Sequence, residues 1–252
     1  MTLRLRQICL VAPALQPDVE TLCRILGTRV SYVDPGVGKY GLVNALMPFG
    51  NSFLEVVAPT RDDTAAGRYL DRRGGAGGYM VILETDAIEP WLHHLPSVGV
   101  RIANDLDDGG AYRGLQLHPR DTGGTLLEIN HTDGGGWDGR YHPAGPDWTG
   151  VPDTGTDRII AAELQSADPP RLAERWATIL RRPLRHEAAV PTIDLDPGRL
   201  RFVAATDGRG EGLGGIDLQR PDRQAVQAAA RREAIPVVDG ALMLCGIRVR
   251  LV

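Results

Sequence analysis

Lysine is almost missing from this chain: Lys39 is the single one, and every other basic side chain is an arginine. Cysteine is scarce as well. Cys9, Cys23 and Cys245 are odd in number and show no CxxC spacing, which argues against a disulfide framework or a thiolate metal site. All three read as reduced, small core residues. No stretch approaches about 18 uncharged apolar residues, so no transmembrane helix is expected. The apolar run near the N-terminus is too short for a secretory signal and has no small-residue cleavage site, and the expected address is cytoplasmic. Charge of one sign is also lacking: 28 Lys+Arg stand against 32 Asp+Glu, a net charge of −4. That balance excludes a dedicated nucleic-acid binder and a polybasic membrane anchor. A phosphate-binding loop is excluded too, because there is no GxxxxGK[ST] and the glycines around residues 74–78 precede a strand.

What is present is ordinary for a globular chain: 252 residues, 42% hydrophobic and 24% charged. At roughly 150 residues per domain, this length corresponds to one or two domains. Residues 5–12 form an apolar, strand-like run. Pro17 and the spacing of Val19, Leu22, Cys23 and Leu26 predict a helix that Gly27 stops. Extended segments follow at 29–33, 43–49 and 52–58, divided by turn signals. The same order returns with a strand at 79–85, a helix at 88–98 and strands at 100–104, 113–118 and 125–131.

The repeat can be tested by spacing. Gln7 to Glu55 is 48 residues and Tyr79 to Glu128 is 49, while the two modules are offset by 72 and 73. A duplicated module is the simplest account. Residues 133–156 are dense in Gly, Pro and Asp and read as a linker, pinned to a surface by Trp137 and Trp148. Beyond it the pattern recurs in compressed form: strand 158–164, helix 170–181, strand 200–205, strand 215–218, helix 223–234 and strand 241–251. The expected organisation is an N-terminal domain over 1–132, the linker, and a degenerate C-terminal domain over 157–252.

Paired strand-helix-strand-strand-strand modules of this length resemble the vicinal oxygen chelate superfamily, which includes glyoxalase I, the bleomycin-resistance proteins and the extradiol dioxygenases. LHPRDTGGTLLEI, residues 117–129, resembles the last hairpin of methylmalonyl-CoA epimerase, and NSFLEVVAP, residues 51–59, its counterpart in the first module. The stretch from VNALMPFG to GGYMVI is similar to glyoxalase-like bacterial proteins. The resemblance implies an α+β fold of tandem paired βαβββ modules forming cupped mixed sheets in two domains.

It also implies a divalent cation (Ni, Co, Mn, Fe or Zn) held by the first and last strands of each module. Carried over by position, the ligands fall on Gln7, Glu55 and Glu128, with Tyr79 where the family usually has histidine. Oxygen donors of this kind suit a hard or borderline cation. A neutral phenol is a poor ligand, with an ordinary pKa near 10, so Tyr79 is instead a candidate substrate contact. His118 stands on the strand before Glu128 and could take the place of the family histidine, serve as a second substrate contact, or be a turn histidine. His93 and His94 are expected to face solvent. Arg68 and Arg72, four apart, would share a helix face and fork a substrate anion, or pair with Asp62, Asp63 or Asp71.

Glu55 and Glu128 lie inside apolar strands, where an isolated carboxylate is costly, so they either point outward to solvent or belong to a site. Their symmetric placement favours the site, and the resemblance makes them the candidate catalytic groups. In the C-terminal half, Arg201 stands where Glu55 does and the last strand carries no carboxylate, which makes that half chemically silent. The implied function is a metal-assisted isomerase, epimerase or lyase acting on a small carbonyl or hydroxy-carbonyl compound through an enediolate. A dioxygenase, which needs two histidines and a carboxylate on one face, fits less well. The alternative is a metal-free protein that sequesters a small molecule in the manner of the bleomycin-resistance proteins. A monomer or homodimer is expected, with no nucleic-acid partner.

Overall fold

The structure, a computed structural model, describes residues 1–123, 125–146 and 157–252. Trp148 and the second part of the expected linker lie outside the described residues. The first module comprises β1 (Leu3–Val11), α1 (Asp18–Leu26), a 3-10 turn (Pro35–Tyr40), β2 (Leu42–Phe49) and β3 (Ser52–Pro59). After α2 (Ala65–Arg73), the second comprises β4 (Gly77–Thr85), α3 (Glu89–Ser97), β5 (Ile102–Asp107), β6 (Tyr112–Leu117), the short α4 (Pro119–Thr122) and β7 (Leu126–Thr132). The third has β8 (Arg158–Ser166), α5 (Pro169–Leu180), β9 (Leu184–Glu187), β10 (Val190–Leu195) and β11 (Gly198–Ala204). The fourth has β12 (Gly212–Gln219), α6 (Arg223–Arg232), β13 (Val237–Val238), β14 (Ala241–Leu244) and β15 (Ile247–Leu251). The fold is α+β, and the described strands form two mixed sheets, of seven and eight strands.

The local chemistry explains these boundaries. In α1 the buried face is Val19, Leu22, Ile25 and Leu26, and Gly27 ends the helix at φ 62°. In α5 the Asp168 side chain accepts from the Arg171 N–H, prolines fill the first turn, and Leu172, Ala173, Trp176, Ile179 and Leu180 are buried.

Two strand expectations are corrected, and one hairpin is added. Residues 29–33 form no strand but a single bridge between Tyr32 and Leu46. The Asp34 carboxylate takes the Gly36 N–H and turns Pro35–Tyr40 into a 3-10 helix. The expected strand 241–251 is a hairpin, because Cys245 (φ 44°) and Gly246 (φ 72°) form a two-residue left-handed turn. The β9–β10 hairpin escaped the sequence reading because its turn uses Ala188 (φ 47°) and Ala189 (φ 71°), which carry no turn signal. Cys9 and Cys245 are buried thiols, while Cys23 is half-buried.

Two compact units make up the chain. One is Met1–Gln7, Tyr79–His142 and Ile160–Leu213; the other is Ile8–Gly78, Pro143–Ile159 and Gly214–Val252. In the first unit the opening and closing strands of each module pair in parallel, β4 with β7 and β8 with β11, and hairpins extend them to β6–β5 and β10–β9. Helix α5 packs on the second module. Trp176 donates its Nε1–H to the Thr122 carbonyl at 2.7 Å, and Arg175 reaches the carbonyls of Val98 (2.8 Å) and Asp121 (2.9 Å). His94 is not free in solvent as expected: its Nε2 lies 3.0 Å from the Ile179 carbonyl at the end of α5.

In the second unit β2 pairs with β3, and β12 pairs in parallel with β15, which continues to β14 and β13. Arg24 of α1 and Glu233 beyond α6 join at 2.9 Å. Among the described residues no helix is long and apolar enough to cross a membrane.

Candidate functional site

The site of the first unit is built on the β6–β7 ladder. Across that antiparallel pair Tyr112 faces Thr132, Gly114 faces Asn130, and Gln116 faces Glu128. Alternate residues of a strand share a face, so these side chains line one surface. Glu128 is buried at 4% exposure. Its Oε1 accepts from the Tyr112 hydroxyl at 2.7 Å and from the Asn130 amide at 3.0 Å. Its Oε2 accepts from the Gln116 amide at 3.0 Å. All three donors are neutral. Among the described residues no arginine or lysine pairs with this carboxylate, whose register partner on β4 is Ile82.

The network continues to β1. Asn130 also approaches the Tyr141 hydroxyl at 3.5 Å, and Tyr141 donates to Gln7 Oε1 at 3.0 Å. Burial, and then the nearby Glu128 charge, push both the Tyr112 and Tyr141 phenols well above 10, so both remain hydroxyl donors at neutral pH. The structure therefore links Gln7 and Glu128 through residues that sequence reasoning did not single out. The one signal in the sequence is the alternate spacing of Tyr112, Gly114 and Gln116, which places them on one face of a strand.

The segment 133–142, expected to be a linker, is an ordered strap. Arg6, fully buried, donates to the Trp137 carbonyl at 2.9 Å and lies 5.5 and 4.9 Å from the Trp137 and Tyr141 ring centres. Its Nε is 3.7 Å from the buried Glu84 carboxylate. Trp137 thus holds this segment against Arg6. The strap ends in His142, which stacks on Tyr112 at 5.1 Å and 18° and meets Asp108 at 3.2 Å.

The other expected site residues lie as follows. Tyr79, on β4, is buried at 7% exposure. His118 caps α4: its Nδ1 accepts from the Arg120 N–H at 3.3 Å. Glu55 belongs to the second unit, where the Asn44 amide donates to its Oε1 at 2.7 Å. Arg68 and Arg72 stand exposed on α2. Arg68 donates to the Asp63 carbonyl at 2.6 Å, and Arg72 lies 5.8 Å from the Tyr69 ring centre.

In the third and fourth modules the carboxylates sit on the opening strands and are neutralised in place. Glu163 meets Arg201 at 3.0 Å and Asp217 meets Arg250 at 3.1 Å, each across directly paired parallel positions. The sequence singles out Arg201 by its alignment with Glu55 but gives no sign of its partner Glu163, nor of the Asp217–Arg250 pair.

This fold and strand-borne site define a protein of the vicinal oxygen chelate type. The chain belongs to the glyoxalase-like domain family, whose pattern matches residues 8–180. It is similar to the mitochondrial methylmalonyl-CoA epimerases of Mus musculus and Homo sapiens. Those matches are 27% and 26% identical over 128 residues, covering 50% of this chain and 71% and 72% of the relatives. In structure it is similar to a triple mutant of 4-hydroxymandelate synthase from Streptomyces coelicolor (TM-score 0.69, 12% identity, 94% of this chain and 77% of that one). A hypothetical protein from Staphylococcus aureus matches at TM-score 0.68 with 12% identity and 99% coverage of both chains. A methylmalonyl-CoA epimerase of Streptomyces coelicolor, solved in complex with 2-nitronate-propionyl-CoA, matches at TM-score 0.46 with 23% identity, over 51% of this chain and 96% of that one.

Members of this superfamily often bind divalent metals. The donor set of the first unit does not fit one. It offers one carboxylate, one amide oxygen that already accepts the Tyr141 hydroxyl, and the Tyr79 phenol. Three donor hydrogens surround the carboxylate where a cation would need bare lone pairs. Among the described residues no three His, Cys, Asp or Glu side chains cluster as metal ligands.

Proposed function

We propose that the N-terminal glyoxalase-like half, residues 1–132, completed by the strap, is a metal-independent site for a small carbonyl or hydroxy-carbonyl compound. In it Glu128 moves a proton at the carbon beside the carbonyl, as an isomerase or epimerase does. The observation that carries this reading is the buried Glu128 carboxylate, held by three neutral donors with no basic partner. A buried carboxylate without a cation is available as a base, and neutral hydrogen bonds orient it without cancelling its charge. Tyr79 and Gln7 would contact the ligand, with His118 in a supporting place. The degenerate half, 157–252, would support this site, in a cytoplasmic monomer or homodimer.

The relatives' names add acyl thioesters to the compounds worth testing. The assay is deuterium uptake at carbon from D2O, followed by proton NMR, over 2-oxo acids, 2-hydroxy acids and methylmalonyl-CoA. Uptake is expected in the wild type, unchanged by chelator or by added Ni, Co, Mn, Fe or Zn, and about a hundredfold slower in Glu128→Gln. Uptake that requires a metal, or that survives in Glu128→Gln, would sink the reading. The saturated hydrogen bonding of Oε1 favours a second one, a binding protein that turns nothing over. Ligand binding with no uptake would select it.

A further inference from the structure

The Tyr112–Glu128 bond is geometrically unusual. Tyr112 faces Thr132 across the ladder, four residues along β7 from Glu128, so its ring must lie lengthwise along the sheet to reach Oε1. The position it crosses is Gly114. A Cβ there would stand 2.5 Å from the Tyr112 hydroxyl oxygen, 3.0 Å from its Cζ and 3.2 Å from Glu128 Oε1. The backbone of Gly114 is of the kind any residue adopts, so the glycine serves the ring's passage and not a turn. His142 closes the other side of the ring, and Asp108 holds His142.

We infer that the Tyr112–Gly114 pair is the positioning device of the site: it commits Glu128 Oε1 and leaves Oε2 as the oxygen that meets the ligand. A carboxylate oxygen has two lone-pair sites. Both on Oε1 are taken, by Tyr112 and Asn130, whereas among the described residues Oε2 accepts only from Gln116. The remaining lone pair on Oε2 is where a proton from the ligand's carbon would arrive. In the return step the same oxygen delivers it, so the carboxylate ends as it began. Tyr112 is a positioning residue in this scheme and need not touch the ligand. The inference rests on Glu128 as the base, and two readouts separate its failure from that of the base itself.

The first readout needs no ligand. Tyrosine ionisation is followed by ultraviolet absorbance in the full chain, below the alkaline unfolding transition. Gly114→Ala is expected to ionise one tyrosine more than the wild type, because the methyl group expels the Tyr112 ring into water. That gain should vanish in the Gly114→Ala/Tyr112→Phe double variant. The second readout is the deuterium assay. Gly114→Ala and Tyr112→Phe should each lower kcat, by up to about a hundredfold, with KM within about twofold, as misorientation of a base would. Equal tyrosine counts in Gly114→Ala and wild type would overturn the inference. So would wild-type kcat in both variants while Glu128→Gln is inactive. If Glu128→Gln stays active, the base assignment falls instead, and the tyrosine count still reports whether the ring lies over Gly114.

Discussion

Glu163 and Arg201 face each other at the same register position of two parallel strands, 3.0 Å apart and largely shut off from water. Asp217 and Arg250 repeat the arrangement in the fourth module. In the second module the corresponding closing-strand residue is Glu128, and its register partner is Ile82. The same ladder position therefore carries a neutralised pair twice and a lone carboxylate once. Breaking the first pair by Glu163→Gln should cost about 3 kcal/mol, since a largely buried guanidinium loses its countercharge. Replacing both, with Glu163→Gln and Arg201→Met together, should cost less than Glu163→Gln alone. Urea denaturation of the single and double variants measures this directly.

Glu84 gives a pH signature. Burial raises its carboxyl above the ordinary 4.5, and Arg6 and Arg4 offset this only in part. The folded chain thus holds that proton more tightly than the unfolded chain does. The contribution is fully present below the unfolded value and is lost as pH rises through the folded one. The denaturation midpoint of Glu84→Gln should therefore gain on that of the wild type as pH is raised from about 4 to about 7. A constant difference across that window would contradict the assignment.

Trp176 anchors α5 through one hydrogen bond to the Thr122 carbonyl, in a place with no access to solvent. Trp176→Phe keeps most of the apolar contact and removes the donor. The expected loss is about 1–3 kcal/mol, the cost of leaving a buried carbonyl unsatisfied, read from thermal or chemical unfolding.

Asn44 ties Glu55 to the chain entering the 3-10 turn: its amide donates to Glu55 Oε1 at 2.7 Å while its oxygen accepts the Asp34 N–H at 2.9 Å. Asn44→Ala breaks both bonds and should destabilise the protein by about 2 kcal/mol. Amide hydrogen exchange at Asp34 should rise with it, whereas a change confined to β7 would contradict this local picture.

Much of this was legible in the sequence. The period of the repeat placed the first two modules, the order of strands and helices marked the outline of the other two, and the apolar strands FLEVV and LLEIN marked Glu55 and Glu128, because a carboxylate in such a run is costly unless something holds it. What holds it was harder to see. Tyr112, Gln116 and Asn130 look like ordinary polar residues on a half-exposed ladder, and only the register brings them to one carboxylate. Arg6 carries no signal of its own in the apolar run 5–12, yet it is fully buried, because aromatic rings from a distant segment close over it. That segment is rich in Gly, Pro and Asp, a composition that signals a spacer and says nothing of the two side chains, Tyr141 and His142, it delivers.

The bond from Trp176 to Thr122 also bears on how such a chain can change over time. The tryptophan is encoded in the second half of the gene and the carbonyl in the first. The two halves share this buried bond, so gene fission between them would leave a bare indole on one product and an unpaired Thr122 carbonyl on the other.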